Sequence, residues 1–456
     1  MKDKSKLFKA YDIRGLAPQE IDEDLAYRVG QALVRFTEAK TVVVGQDMRE
    51  TTPALFDAFA RGAMSQGADV IDIGLVTTPM LYYAVGEYEL HDAGAMITAS
   101  HNPKEYNGIK MCYGDVRPIG GNSGMWDIRD LALAGPYPGE PEGTLVTTDI
   151  KDAYLDKLLS EVDLKSIKPF KIVVDTGNGM EGVIIEDILK ALPQCEVHPL
   201  FLELDGSFPN HEANPLKDET LIALKEKMME VGADLGVAFD GDGDRIGLVD
   251  ETGETVRGDM LTGLLAPLLL KKSPGGKVLY DVRMSLSIPE EIERAGGVPV
   301  MCPVGHGLIK PMMREEGAVF AGELSNHYYF RDFYGAESSD LVMLLVLDLM
   351  SRTGKSLSEL IAPLKRYQHS GEINSEVEDK EAVLRELDRR YAAQAGQVTR
   401  IDGVRMDFHD PDDPEGDWWF SVRVSNTEPL MRLNLEAKRR EKMEEKREEL
   451  LKVIRG

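Results

Sequence analysis

Cysteine is scarce in this chain: Cys112, Cys195 and Cys302 are the three among 456 residues. Their odd number and wide spacing exclude a disulfide framework and point to a reducing compartment. Long apolar runs are missing too. The longest, around Leu264–Leu270 and Leu341–Leu347, fall far short of the roughly 20 residues of a membrane span. The opening Met-Lys-Asp-Lys-Ser-Lys leads into no apolar segment of the kind a secretory signal carries. Positive charge is in deficit, with 53 Lys and Arg against 79 Asp and Glu, a formal net charge of −26. That balance argues against nucleic acid or an anionic membrane as partner, and it requires any phosphate site to be basic locally. These absences together predict a cytoplasmic protein and leave its oligomeric state open between monomer and homodimer.

What is present is an ordinary globular composition, 43% hydrophobic and 29% charged, in a chain long enough for two to four domains. Its most informative stretch is Asp240-Gly241-Asp242-Gly243-Asp244-Arg245. Apolar runs flank it on both sides, Leu235–Phe239 before and Ile246–Val249 after, and both read as buried strands. Three carboxylates separated only by glycines repel one another and give up backbone order. A hard cation among them makes such a loop favourable, because Mg²⁺ takes oxygen ligands and often a substrate phosphate. Asp240, Asp242 and Asp244 are therefore the expected metal ligands.

A weak internal repeat organises the chain. A lysine and a β-branched run ending near an aspartate occurs at Lys40–Val44 before Asp47, Lys171–Val174 before Asp175, and Lys277–Tyr280 before Asp281. Each is followed by a helical stretch and a second strand, Pro53–Gln66 into Asp69–Ile73, Gly182–Leu192 into Glu196–Leu200, and Ile288–Ala295 into Val298–Met301. Strand, helix, strand predicts βαβ units and a largely parallel sheet. Each repeat then offers a strand running into an unusual loop, at Ala99–Pro103, at the aspartate loop and at Gly322–His327. Ligands of open α/β sheets bind outside the carboxyl ends of strands, so three such loops suit one shared cleft. Turn-rich punctuation predicts domains over 1–149, 150–253, 254–368 and 369–456. The last holds a charged helix at Lys380–Ala395, an aromatic strand at Trp418–Val422 and a solvated helix within Glu436–Arg455 laced by i,i+4 ion pairs.

Ser100 ends a strand and precedes His101, Asn102 and Pro103. Adjacent residues do not easily form the nucleophile–base bond of a triad, and no Gly-x-Ser-x-Gly elbow occurs, so a hydrolase triad is not expected. Beside a metal loop the serine acquires another use. A phosphoserine carries about −1.5 to −2 charges, so cations must accompany it. Arg245, Lys110 and Arg14 are the candidates at a phosphoryl-transfer site, where catalysis is positioning and electrostatics. Arg423-Val424-Ser425-Asn426-Thr427-Glu428-Pro429 offers a guanidinium, hydroxyls and an amide, a set that suits a phosphate but is also ordinary turn chemistry.

Taken together, Tyr11–Gly15, Thr98–Pro103, Asn107–Lys110, Asp240–Arg245, Gly305-His306, Gly322–His327 and Arg423–Pro429 resemble the α-D-phosphohexomutase superfamily, in its phosphomannomutase/phosphoglucomutase group. The resemblance covers essentially the whole chain. It implies an α/β, four-domain, heart-shaped phosphohexomutase architecture, with three similar α/β domains and a distinct C-terminal α+β domain. It implies interconversion of hexose 1- and 6-phosphates of mannose or glucose, with Mg²⁺ as cofactor and a hexose 1,6-bisphosphate as activator and intermediate. By the same resemblance Ser100 is the phosphoserine and a fourth metal ligand. Lys110 and His306 move protons, and Arg14 and Arg245 balance charge. Tyr11, Glu323, Ser325 and His327 contact the sugar, and Arg423, Ser425, Asn426 and Thr427 grip its phosphate.

Two departures stand out. Asn326 occupies a position where glycine is usual, and Arg283 one where lysine is common. Competing readings stay open here. Phosphoglucosamine mutase is one, although Leu324 stands where that enzyme usually has glutamine. A haloacid-dehalogenase-type phosphomutase with Asp240 as nucleophile is another, but it leaves the Ser100 loop unexplained. A sugar-phosphate-binding regulator without turnover is a third. A helix-flanked calcium loop is rejected, since Arg245 falls where glycine is required.

Overall fold

The computed structural model describes residues 4–88, 91–139, 143–424 and 430–456. The chain forms two compact units. One comprises residues 1–258 and 305–360, the other 259–304 and 361–456.

In the first unit the β-branched run Thr41–Gln46 is a central strand. It pairs in parallel with Asp69–Leu75 on one side and with Ala93–Ile97 on the other. Tyr106–Tyr113 then runs antiparallel between Ala93–Ile97 and Ile13–Leu16, and Leu145–Thr147 closes the far edge. The helices Glu23–Thr37 and Thr52–Met64 pack closely. A Cβ on Gly30 would lie 2.2 Å from Phe59 O, and one on Gly62 2.0 Å from Tyr27 O, so glycine is what lets the two backbones touch. Asp22 caps the first of these helices, accepting from Leu25 N at 2.9 Å.

A second sheet runs in the order Thr255–Val256, Ile246–Asp250, Leu235–Phe239, Lys171–Asp175, Glu196–Leu200. Leu235–Phe239 and Ile246–Asp250 are buried along their whole length, as their uninterrupted apolar runs predict. Between them lies the aspartate loop, so the hairpin itself presents the three carboxylates. The expected helix Gly182–Leu192 is broken into a 3₁₀ turn, Met180–Val183, and a short helix, Ile185–Lys190, because Ile184 leaves the helical region at φ −121°. The unit also holds the antiparallel strands Phe320–Gly322, Tyr328–Phe330 and Ala336–Glu337. The apolar run Leu341–Leu347 lies in helix Ser339–Thr353, nearly all of it buried, so its hydrophobicity is that of a core helix.

In the second unit Lys277–Asp281 pairs in parallel with Val298–Cys302, and Ser287–Arg294 is the intervening helix. The C-terminal sheet is antiparallel around Trp418–Val424 and Leu430–Ala437. Phe408 and Trp418 stack at 4.0 Å between centroids, and helices Lys380–Tyr391 and Arg440–Arg455 cover a core that includes Phe420 and Leu435. The last helix does carry the i,i+4 ion pair Arg440–Glu444, and Lys446–Glu449 joins it at i,i+3. It is not simply solvated, because Met443, Leu450 and Ile454 are buried on its other side. Among the described residues no helix is long and apolar enough to cross a membrane.

The repeat has a structural signature beyond strand order. Asp47, Asp175 and Asp281 each end a strand or lie just past it. Each accepts the backbone N–H two residues on, from Arg49 at 3.1 Å, Gly177 at 2.8 Å and Arg283 at 2.7 Å. In the first and third repeats the same arginine also pairs with that aspartate.

Candidate active site

The ligand oxygens of Asp240, Asp242 and Asp244 all lie within 4.8 Å of one another, and the three side chains are buried. Such a cluster is tolerable only if something positive stands among the charges. Lys110 supplies part of it, with Nζ 2.6 Å from both Asp242 Oδ2 and Asp244 Oδ2. Burial alone would lower the Lys110 pKa, but the two carboxylates outweigh it and raise it. The neutralisation is incomplete. Burial, then the charges of Asp244 and Asp242, push Asp240 up to about 8. Asp242 Oδ1 is buried without a hydrogen-bond partner, and Asp244 Oδ1 has only the ring of His327 within reach, at 3.3 Å. Oxygen donors in this number, one side under-compensated, fit a hard divalent cation.

The serine loop meets this hairpin directly. Ser100 Oγ donates to Asp240 Oδ2 at 2.8 Å, and a Cβ on Gly241 would lie 2.4 Å from Ser100 O. Ser100 sits in the left-handed region at φ 50°, its N–H donating to Thr98 Oγ1 at 2.9 Å. Arg14 reaches the loop through Nη1, which donates to Ala99 O at 2.8 Å and Asn102 Oδ1 at 2.6 Å, and it pairs with Asp12. His101 Nδ1 lies 3.1 Å from Ser100 Oγ, but the single hydroxyl proton already goes to Asp240, so the contact is not the nucleophile–base bond of a triad. Burial, then the charges of Arg245 and Arg14, hold His101 well below the usual histidine range, and so neutral.

The loop Gly322–His327 lies within the same unit. His327 is ringed by carboxylates, Nδ1 at 3.2 Å from Glu323 Oε2 and Nε2 at 3.3 Å from Asp244 Oδ1. Burial and Arg245, whose Nε is 3.1 Å from His327 Nε2, act to discharge the ring. Asp244 and Glu323 prevail and raise it to about 9. Ser325 Oγ is 3.2 Å from the same ring, and Tyr329 Oη donates to Glu323 Oε2 at 3.1 Å. Asn326 has φ 67°, which explains the departure in the sequence, since asparagine is the side chain that best tolerates this region after glycine. His306 begins helix His306–Glu316 beside Tyr11, their rings 5.6 Å apart. Burial, then Lys310 and Lys110, hold it well below the usual range.

Arg423 belongs to the second unit and is buried. Ser425, Asn426 and Thr427 lie outside the described residues. Arg283 forms a fork with Asp281, Nε to Oδ1 at 3.0 Å and Nη2 to Oδ2 at 2.8 Å. Sequence reasoning missed two polar neighbours. Thr78 Oγ1 donates to Asp242 Oδ2 at 2.6 Å, and Asp402 pairs with Arg423 at 2.8 Å. The Thr77-Thr78-Pro79 helix start was a visible signal for the first. A lone aspartate in an Ile-Asp-Gly turn gave none for the second.

Comparison with known proteins follows the same outline. The chain matches the families described as phosphoglucomutase/phosphomannomutase alpha/beta/alpha domain I over residues 5–126, domain II over 152–253 and domain III over 257–367, and the C-terminal domain over 372–453. It is 42% identical over 452 residues to "Phosphohexose mutases" of Xanthomonas campestris pv. campestris strain B100, covering 98% of this chain and 99% of that one. It is 39% identical over 439 residues to the "Phosphomannomutase" of Escherichia coli K12, covering 94% of each. A crystal structure of a "Phosphoglucomutase/phosphomannomutase family protein" from Burkholderia thailandensis superposes with a TM-score of 0.88 at 32% identity, over 99% of this chain and 98% of that one.

Proposed function

The chain belongs to the phosphoglucomutase/phosphomannomutase family and is a hexose-phosphate mutase; from that premise we propose that it works through a phosphoserine at Ser100 and a hexose 1,6-bisphosphate, on mannose or glucose phosphates. We assign its domains to 1–149, 150–253, 254–368 and 369–456. One observation carries the proposal. The serine hydroxyl and the aspartate loop, from consecutive repeats, meet at 2.8 Å. A metal-holding loop set against a serine hydroxyl is the arrangement that phosphoryl transfer to and from that hydroxyl needs.

Asp240, Asp242 and Asp244, with a phosphoryl oxygen on Ser100, would hold Mg²⁺. The ion supplies neutralisation of the phosphoryl charge as that charge shifts between oxygens. The protein does the rest. The P–Oγ bond of phosphoserine breaks as a sugar hydroxyl oxygen bonds to phosphorus, and that hydroxyl gives up its proton. Neutral His306 is suited to accept it, Lys110 to supply the proton that the departing Ser100 Oγ takes up, and Arg14 and Arg245 to balance the phosphoryl charge. Glu323, Ser325 and His327 read sugar hydroxyls beside Tyr11. Arg423, with Ser425, Asn426 and Thr427, grips the phosphate that is not transferred. The bisphosphate then presents its other phosphate, and Ser100 is rephosphorylated.

The rival assignment makes Asp240 the nucleophile. Its Oδ2 already accepts from Ser100, and the side chain is fully buried. The test is chemical. Enzyme incubated with hexose 1,6-bisphosphate is expected to gain one acid-stable phosphate that resists hydroxylamine and maps to the peptide around Thr98–Lys110. A hydroxylamine-labile label on Asp240, or full turnover by Ser100→Ala, overturns the assignment.

A further inference from the structure

The side chain that holds the nucleophile loop in shape lies outside every motif that drew attention in the sequence. Arg49 stands just past the strand Thr41–Gln46 and is 1% exposed. An arginine has five side-chain N–H donors, and every one is used. Nη2 donates to Ser100 O at 2.7 Å and Asn102 O at 2.6 Å. Nη1 donates to Pro103 O at 2.8 Å and Tyr106 O at 2.9 Å. Nε donates to Asp47 Oδ2 at 3.1 Å. Three carbonyls of one loop and that of Tyr106, which opens the next strand, thus converge on a single planar cation.

The support beneath is equally fixed. Asp47 accepts from Arg49 N at 3.1 Å and from Thr52 Oγ1 at 2.6 Å, and Asn107 Nδ2 donates to Thr51 Oγ1 and Thr52 Oγ1, both at 2.9 Å. The ring of Phe208 lies 5.2 Å from the guanidinium carbon. Ser100, meanwhile, is left-handed, a conformation that a serine holds only when its surroundings over-determine it. The carbonyl of that same residue is the one Arg49 grips.

We propose that Arg49 is the positioning residue of the nucleophile. By fixing the carbonyls of Ser100, Asn102, Pro103 and Tyr106 it sets the direction of Ser100 Oγ toward the aspartate loop, without touching the substrate. Its positive charge lies on the backbone side of Ser100. This rests on the reading of Ser100 as phosphoserine.

The fork, not the charge, is what matters. Lysine keeps the charge but offers a compact point donor that cannot serve four planar-arrayed carbonyls. Arg49→Lys is therefore expected to lower kcat, and single-turnover transfer of phosphate from Ser100 to hexose 1-phosphate, by about 100-fold, the cost of a displacement near 1 Å at a reacting group. KM for hexose 1-phosphate should change less than about threefold, because the sugar-reading residues are untouched. In Arg49→Ala, added methylguanidinium should restore part of the transfer rate. Should Arg49→Lys fail to fold, Asp47→Asn takes its place, with kcat lowered and KM kept. Unchanged kcat per folded molecule, with only a lower Tm, overturns the proposal by reducing Arg49 to a structural residue. Ser100→Ala separates the two levels. If it is inactive while Arg49→Lys and Asp47→Asn keep wild-type kcat, the positioning role alone is wrong. If Ser100→Ala is fully active, the phosphoserine reading fails first.

Discussion

Asp402 Oδ2 accepts from Arg423 Nε at 2.8 Å and lies 2.8 Å from Nη2, while Val304 N–H donates to the same oxygen at 3.2 Å. The guanidinium is thereby fixed side-on to a turn that is itself tied to the end of a strand. On the proposed role of Arg423, removing the charge of Asp402 is expected to loosen its hold on a phosphate. A charge-assisted hydrogen bond is worth about 1.5–3 kcal/mol, so Asp402→Asn should raise KM for hexose phosphates about 10-fold or more with a smaller effect on kcat. Steady-state kinetics check it, and an unchanged KM would show that Arg423 needs no such orientation.

Metal removal gives a second expectation. Asp242 Oδ1 lacks a hydrogen-bond partner, and Asp240 is pushed toward its protonated form by burial and by its neighbours. Chelation with EDTA is expected to abolish turnover, and Mg²⁺ to restore it. Full activity in metal-free buffer would remove the metal role of all three aspartates.

Glu323 shows how selectivity can be separated from chemistry. Its Oε2 accepts from Tyr329 Oη and lies against His327. Glu323→Ala leaves polar partners without an acceptor, a penalty of about 1–3 kcal/mol. We expect kcat/KM to fall roughly 10- to 100-fold while phosphate on Ser100 still forms, read by intact-mass measurement after incubation with bisphosphate. A variant kinetically silent with mannose and glucose phosphates would take Glu323 out of the sugar site.

One pH effect belongs to the fold rather than to the reaction. His211 Nε2 lies 3.0 Å from Asp175 Oδ2 and Nδ1 is 2.8 Å from Glu212 O. Burial alone would lower its pKa, but the hydrogen bond and charge of Asp175 outweigh it, and the folded value stands above 6.5. A raised folded value means the protonated ring stabilises the native state. That contribution is complete below about pH 6.5 and is lost as pH climbs through the folded pKa. Tm should therefore decline across that interval, and His211→Gln should flatten the decline. An identical Tm profile in the variant would mean the pair contributes nothing.

Much of this was legible in the chain itself. Asp240–Arg245 stood out because no packing argument accommodates alternate aspartates and glycines, and the flanking apolar runs placed it at a hairpin, where the three carboxylates do cluster. The β-branched runs located the parallel strands because burial on both faces leaves little else to choose. What stayed hidden were contacts made across long sequence separation. Asp402 on Arg423 is a single polar residue in an unremarkable turn, and the helix start at Thr78 was visible without showing that its hydroxyl meets Asp242. The break at Ile184 was hidden for another reason, since the surrounding composition is helical and tertiary packing decides where the helix starts. The proximity of His101 to Ser100 depends on one left-handed residue that no periodicity reveals.

The two glycines between the aspartates carry one further meaning. A Cβ at Gly241 would strike Ser100 O at 2.4 Å, and one at Gly243, where φ is 73°, would come within 2.8 Å of Glu181 Oε2. The motif is therefore a mould taken from its surroundings, the serine loop on one side and a buried acid on the other. A loop that only needed to bind a cation could carry alanine at position 241. Insisting on glycine there records that another backbone arrives at that spot. A designer who transplanted Asp240–Arg245 alone into a new scaffold would carry over the carboxylates and leave behind the reason for their spacing.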